Sequence, residues 1–218
     1  MPNILTLRGL NPAQIIHDAQ LIKAVPIDDT DKGADKVLAY DQATAKLAYV
    51  PKCPEIVIKA IQHVTISFLY AATSHEVLIN EVDMDNTFLI FGGFQSESNI
   101  ATAAFARIEL TDSTHILATR FGWNASLIIN VCVIECTAGI KSVQRGTIHI
   151  GSETYHDATI NQVDTDKTFV SYLGVTTTAD NISRALFRAY LLNSTTVRAE
   201  RDDIYSEMDI SFEAVEFI

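Results

Sequence analysis

Short stretches in which apolar and polar residues alternate recur from about residue 58 to the end of the chain. In the last stretch the apolar positions are Met208, Ile210, Phe212 and Ala214. The polar positions between them are Asp209, Ser211 and Glu213. A period of two residues predicts a β-strand with one face on a core and the other face in water.

The C-terminal part of the chain contains six strand-like segments of this kind. They lie at about residues 142–150, 155–163, 167–173, 184–191, 195–201 and 206–217. Turn-forming Asn, Asp, Ser, Thr and Gly residues separate them, and no stretch between them has a helical period. Six short strands with polar turns predict a small antiparallel sandwich or barrel.

The pattern occurs twice. Residues 79–88 (INEVDMDNTF) return as residues 160–169 (INQVDTDKTF), 81 positions later by the difference 160 − 79. The opening strands match at an offset of 82, by the difference 140 − 58, so one residue is gained in a loop before residue 79. We therefore predict an all-β protein with two tandem antiparallel β-sandwich or barrel-like modules, residues 58–139 and 140–218.

Residues 1–57 predict a leader with a short helix and a hairpin. Asn11 is a helix cap and Pro12 suits the first helical position, which predicts a helix over residues 11–23. Two strand-like runs, residues 36–40 and 46–50, flank a tight turn. A two-stranded hairpin is marginal alone in water. We therefore expect the leader to serve in attachment or oligomerisation.

Charge and hydropathy narrow the choice of partners. The formal net charge of −11 opposes binding to nucleic acid and to anionic membrane surfaces. The longest apolar run, residues 127–134, is far shorter than the roughly 20 residues of a membrane-spanning helix. Apolar residues make up 48% of the chain, more than two small cores need. We predict a homo-oligomer without nucleic-acid partner or membrane insertion.

Candidate chemical sites are few. Asp164 and Asp166 stand one residue apart, as calcium ligands can, but a turn in which aspartate accepts backbone N–H bonds explains the pair better. His149 and Asp157 are possible partners of a serine, although such triads are recognised by geometry and not by spacing. We predict a non-enzymatic protein with no catalytic residues, no cofactor and no metal.

Four charged residues recur in both copies and predict structural ion pairs. They are Arg107 and Arg188, with Glu135 and Glu216. We expect each arginine to pair with the glutamate of a neighbouring strand.

The two copies differ in one direction at five outward or loop positions, which are apolar in the first copy and charged in the second. The pairs are Ala103 for Arg184, Leu117 for Arg198, Phe121 for Asp202, Ile128 for Asp209 and Cys132 for Glu213. Neutral drift is one explanation, because single apolar residues are common on surfaces. The shared direction favours another, that the leader, the second repeat or another copy covers this face. We assign these five apolar residues to an interface.

Two aromatic residues of the first repeat suggest a further alternative. Phe121 and Trp123 lie in the turn between its last two strands, where they would stack on a sugar ring. Aromatic side chains that cap a core or fill an interface are the more common case.

Several segments resemble virion proteins of tailed bacteriophages. Residues 143–148 (VQRGTI), 160–164 (INQVD), 192–201 (LNSTTVRAER) and 212–217 (FEAVEF) resemble a β-rich module of such proteins. Residues 34–51 (ADKVLAYDQATAKLAYVP) are similar to the hairpin pattern D-G-x-V-L-x-Y-D-x-x-T-x-x-W of phage tail and fibre proteins, without its glycine and tryptophan.

The resemblance implies a structural or adhesive component of a phage head or tail, made in the host cytoplasm and often trimeric. On this hypothesis the leader binds another virion protein, the first repeat makes the oligomer contact, and the second repeat is the exposed end. The alternative is a carbohydrate-binding module for host adhesion, in which an exposed loop holds a surface glycan.

Overall fold

A computed structural model describes residues 27–28, 36–41, 46–51, 55–202 and 204–218. The chain forms two compact units, Met1–Pro54 and Glu55–Ile218. In the first unit β1 (Ile27–Asp28) pairs parallel with β3 (Lys46–Pro51), and β3 pairs antiparallel with β2 (Lys36–Asp41). Strands β2 and β3 occupy the positions where the sequence predicts a hairpin. The helix predicted at residues 11–23 lies outside the described residues.

The first repeat is a sandwich of two antiparallel sheets. Its long-strand sheet has the order β4 (Val57–Phe68), β9 (Leu127–Ala138), β6 (Thr87–Ser96). Its short-strand sheet has the order β5 (Ser74–Leu78), β8 (His115–Thr119), β7 (Arg107–Leu110). A four-residue helix, α1 (Ala101–Ala104), and a 3-10 turn, Met84–Asn86, lie in the connections.

The second repeat has the same strand order. Its long-strand sheet is β10 (Ile140–Ile150), β15 (Met208–Phe217), β12 (Thr168–Thr177). Its short-strand sheet is β11 (Tyr155–Thr159), β14 (Thr196–Glu200), β13 (Arg188–Asn193), with a 3-10 turn at Ile182–Ala185. In each repeat the first, sixth and third strands form one sheet, and the second, fifth and fourth form the other. The all-β prediction and its six strands per repeat are confirmed.

The two repeats share a sheet. The long-strand sheet of the second repeat continues through β12 and β7 into the short-strand sheet of the first, which makes six strands in the order β10-β15-β12-β7-β8-β5. Val175 N donates to Ala106 O at 3.1 Å across this junction. The predicted boundary between residues 139 and 140 is therefore a boundary between repeats within one compact unit that begins at Glu55.

The repeated stretch that includes residues 79–88 ties the two sheets of its sandwich together. On one side Ile79 N and Val82 N donate to the carbonyls of Thr114 and Ser113, in the turn between β7 and β8. On the other side Gln62 in β4 exchanges two hydrogen bonds with the backbone of Asn80. The second copy repeats these bonds with residues 160–163, the turn at Ser194 and Thr195, and Gln144. This double role explains why the stretch is preserved between the copies.

A buried glutamate completes the connection, but its cationic partner is a lysine. Glu135 Oε1 accepts from Lys59 Nζ at 2.8 Å and from Asp83 N at 2.9 Å. In the second copy Glu216 Oε1 accepts from Lys141 Nζ and Asp164 N, both at 2.8 Å. The predicted pairing of these glutamates with arginines is wrong, because the strand order puts β4 and β10 beside them. Instead, Arg107 contacts Glu109 and Arg188 pairs with Glu200.

A second recurrent device is a buried arginine at the loop end of each sandwich. The Arg120 guanidinium donates to the carbonyls of Ala72, Ala125 and Leu69 at 2.8, 2.6 and 3.0 Å, and lies 5.0 Å from the centre of the Phe68 ring. At the same position of the second repeat, Arg201 donates to the Gly151 carbonyl and, at 3.2 Å, to Ser206 Oγ. Each arginine joins loops that carry no sheet hydrogen bonds of their own.

Candidate interaction surfaces

The two repeats also contact each other outside their cores. The outward face of the second repeat's long-strand sheet receives the free edge of β6. Glu213 Oε2 accepts from Leu89 N at 2.7 Å, and Ser171 Oγ donates to Leu89 O at 2.7 Å. Arg145 donates to Glu213 Oε1 at 2.9 Å. Two side chains thus satisfy both backbone groups of an edge residue that would otherwise be open to pairing.

This contact corrects the predicted orientation of the last strand. Ser211 and Glu213 were expected in water, but Ser211 is 1% exposed and Glu213 is 0% exposed. Ser211 Oγ accepts from Arg107 Nη1 at 3.1 Å, and Glu213 is held as described above. Asp209 keeps partial exposure beside His149, whose Nδ1 lies 2.8 Å from Asp209 Oδ1. The alternation is real, but its polar face is an internal interface.

A glycine allows the repeats to approach closely. Gly174 lies at a bulge in β12 with φ of +91°, and a Cβ built there would lie 2.2 Å from Ala106 O and 2.9 Å from Arg107 Cα. Positive φ and the absence of a side chain are both needed, so only glycine fits. Just before this contact, Phe105 packs against the core of the second repeat.

The equivalent face of the first repeat is covered at one end, where Phe88 and Cys136 pack against Ile140 and Val215 of the second repeat, and is open among the described residues at the other end, near Gly93. Gly93 stands 81 positions before Gly174, at the same kind of bulge with φ of +100°, but nothing lies within 4 Å of the place a Cβ would occupy. Ile90 and Cys132 stand where the second repeat has Ser171 and Glu213. Ile90 is 41% exposed and Ile128 is 38% exposed. This face therefore has exposed apolar side chains and an unfilled slot, by which we mean the space beside Gly93 that corresponds to the space Ala106 fills beside Gly174.

The five predicted interface residues do not form one surface. Ile128 and Cys132 lie on the open face of β9, as the strand period predicts. Leu117 lies in the other sheet, where β8 places it between Glu76 and Glu109. Phe121 is exposed in a loop, and Ala103 is buried in α1 with no exposure. The helix that carries Ala103 is enclosed between the repeats, where Thr102 N donates to Ala179 O and Ala101 packs with Ala185.

The loop end of the first repeat carries a cluster of exposed apolar side chains. Leu69, Tyr70, Phe121 and Trp123 are each more than half exposed. Their loops are joined by Arg120, which bonds to the Leu69 and Ala72 carbonyls. Phe121 and Trp123 therefore neither cap a core nor fill an interface between described residues. Sequence analysis missed Leu69 and Tyr70, which the arginine brings to the same end.

A groove of about 720 Å³ opens at the edge of the second repeat. Its lining includes Tyr155, Phe187, Arg188, Glu200 and Asp202. Tyr190 Oη donates to Glu200 Oε2 at 2.8 Å, and this bond together with that from Arg188 lowers the pKa of Glu200 below its ordinary value. The groove thus contains aromatic rings together with charged groups of both signs, which hydrogen bonds hold in place.

The other chemical candidates have structural partners. Asp164 Oδ1 accepts from Asp166 N at 3.0 Å, which confirms the turn interpretation, and Asp83 does the same with Asp85 N. No group of three metal-ligating side chains occurs among the described residues. Asp157 pairs with Arg198 and His149 lies beside Asp209, so the two residues suggested as partners of a serine have separate structural partners.

Comparison with protein-family models, with curated proteins and with solved structures gives no match. Within the part of the chain that is described, no helix has the length and apolar character needed to cross a membrane.

Proposed function

We propose that the chain is a non-enzymatic structural protein of a tailed-bacteriophage particle, as an oligomeric fibre, spike or decoration component. The observation that carries the proposal is that the two ends of the compact unit differ. Strand β4 begins at Val57, next to the leader junction, and ends at Phe68, beside the exposed aromatic loops. Twelve residues of strand separate the two ends by roughly 35 Å.

Two different ends suit an attachment protein. The compact unit begins at one end of β4, and we propose that another virion protein holds the leader that precedes it, while Tyr70, Phe121 and Trp123 are exposed beside the other end of β4. The charged groups that recur in both repeats, such as Glu135 and Arg120, are occupied in holding each sandwich together. A repeated unit with exposed apolar side chains at one end suits a spacer with a contact surface, and the resemblance of residues 34–51 to phage hairpins points to the particle.

The virion role predicts that the protein is a stoichiometric part of purified particles. Density-purified phage from cells that carry the gene is analysed by quantitative mass spectrometry. The same cells express a tagged copy of the full chain and a tagged copy of residues 55–218, which form a compact unit by themselves. We expect the full chain in the particles and the truncated copy only in the lysate. Particles that lack the full chain would contradict the proposal.

A carbohydrate-binding module is the second candidate, and the groove at Tyr155 favours it. Aromatic rings stack on sugar faces, while carboxylates and guanidinium groups bind hydroxyls in a fixed orientation. The groove presents Tyr155 with Arg188 and Glu200 in reach of one ligand. Here the sugar site belongs to the second repeat, not to the Trp123 loop.

Glycan binding predicts a response on a glycan array at tens of micromolar protein, where weak sugar contacts are detected. Substitution of Tyr155 by alanine should weaken that binding at least about tenfold, because it removes the stacking surface. The matched control is Tyr70→Ala, an exposed tyrosine at the loop end of the other repeat. Equal loss in both variants, or no array response at all, would exclude the groove as a glycan site.

A further inference from the structure

We infer that copies of this chain associate head to tail, with the free edge of the second repeat of one copy bound to the open face of the first repeat of the next. The internal repeat shows the geometry of this contact once within the chain. The inference rests on that geometry and not on the virion role.

The acceptor surface is the uncovered part of the outward face of β9 and β6, which carries Ile90, Ile128, Cys132 and Gly93. Gly93 has the backbone conformation of Gly174, with φ of +100° against +91°, yet nothing is packed against it. In the second repeat the same slot holds the backbone of Ala106 and Arg107. A bulge at positive φ needs glycine, but it does not need the empty space that lies beside Gly93. That space is explained if a backbone approaches there as well.

The donor surface is the edge of the second repeat at β13. The segment that fills the slot at Gly174 is Phe105 to Arg107, and its equivalent, 81 positions later, is Leu186 to Arg188. Phe105 packs on the second repeat, whereas Leu186 is 64% exposed. The second repeat therefore presents a free copy of the surface that the first repeat has already used.

The chemistry of the open face differs from that of the filled one. Ser171 and Glu213 hold the edge of β6 with two polar side chains. Ile90 and Cys132 replace them on the open face and offer only apolar contact. The contact between copies is thus more apolar than the one within the chain, which fits the exposure of Ile128 and Leu186. Exposed apolar patches of this kind mark protein contacts.

A second copy of the chain at this surface limits the assemblies that can form. A head-to-tail contact is heterologous, so it closes into a ring or continues as a filament, and each copy uses two different surfaces. A ring of three chains places six equivalent modules around one axis, which agrees with the trimer that the phage resemblance implies. The donor edge overlaps the groove at Phe187 and Arg188, so a sugar bound there would compete with assembly.

The test measures the solution mass of the full chain by size exclusion with light scattering. The wild type is expected above the 24.0 kDa of one chain at tens of micromolar. Ile128→Asp removes the acceptor and Leu186→Asp removes the donor, and each should weaken association at least about tenfold by placing a charge in an apolar contact. Leu78→Asp is the control, because Leu78 is exposed but belongs to neither the donor surface nor the acceptor surface. Circular dichroism verifies that all three variants fold.

Mixing the two variants decides the geometry. Ile128→Asp keeps an intact donor and Leu186→Asp an intact acceptor, so an equimolar mixture should form a pair of two chains and stop there. A mixture that stays monomeric would overturn the inference in favour of a symmetric contact. A monomeric wild type would overturn it too. A wild-type oligomer that neither substitution weakens would also overturn it and would assign association to the leader or to another surface. Self-association of a chain absent from particles would leave this contact standing and remove only the virion role.

Discussion

Substitution of Gly174 by alanine is expected to lower the free energy of unfolding of the compact unit by about 4 kcal/mol. Alanine at φ of +91° carries a strain of about 1 to 2 kcal/mol. Its Cβ would also lie 2.2 Å from Ala106 O, so the repeats would have to separate. The measurement is urea denaturation at a concentration where the chains are monomeric.

Gly93→Ala is the matched control for Gly174→Ala. Gly93 has φ of +100° and open space in place of Ala106, so the monomer should lose only the strain of about 1 to 2 kcal/mol. The same variant should fail to assemble if copies join at this slot. Equal destabilisation of the two monomeric variants would show that close packing of the repeats at Gly174 contributes little to stability.

The second large effect is expected at Arg120. Substitution by methionine preserves much of the volume but removes the donors to the carbonyls of Leu69, Ala72 and Ala125. Arg120 is only 3% exposed, and burial lowers the pKa of its guanidinium without discharging it at neutral pH. Loss of several charged hydrogen bonds at a buried site should lower the free energy of unfolding by about 4 kcal/mol.

Arg188→Met is the comparison for Arg120→Met. Arg188 is 72% exposed and pairs with Glu200 at the surface, so its removal should change stability by less than about 1 kcal/mol. Thermal unfolding of the two variants gives the difference directly. A loss at Arg120 as small as that at Arg188 would mean that the loops are held by other contacts.

The repeat and its strands were readable from sequence, because a strand with one buried face needs an apolar residue at every second position. Met208, Ile210 and Phe212 satisfy that need, and all three are buried in the core of the second repeat. The turn at Asp164 was predictable for a similar local reason, since its side chain bonds to a backbone group two residues away.

Contacts between distant residues were not readable in this way. Glu135 and Glu216 were recognised as structural, but strand order decides that lysines, and not arginines, stand beside them. Ile128 and Cys132 were correctly placed on one outward strand face, whereas Ala103 was enclosed by loop packing that no local pattern encodes. The sequence pattern does not distinguish Gly93 from other glycines, and only the contact at Gly174 shows what such a glycine accommodates.

The sequence by itself determined the all-β class, the two copies and the six strands of each, because these follow from periodicity and from comparison of one copy with the other. Only the tertiary structure decided the strand order, the shared sheet and the burial of Ser211 and Glu213. A polar side chain shows that a position needs a hydrogen-bonding partner, but water and a neighbouring strand edge meet that need equally well. Which of them does so depends on how the two repeats pack.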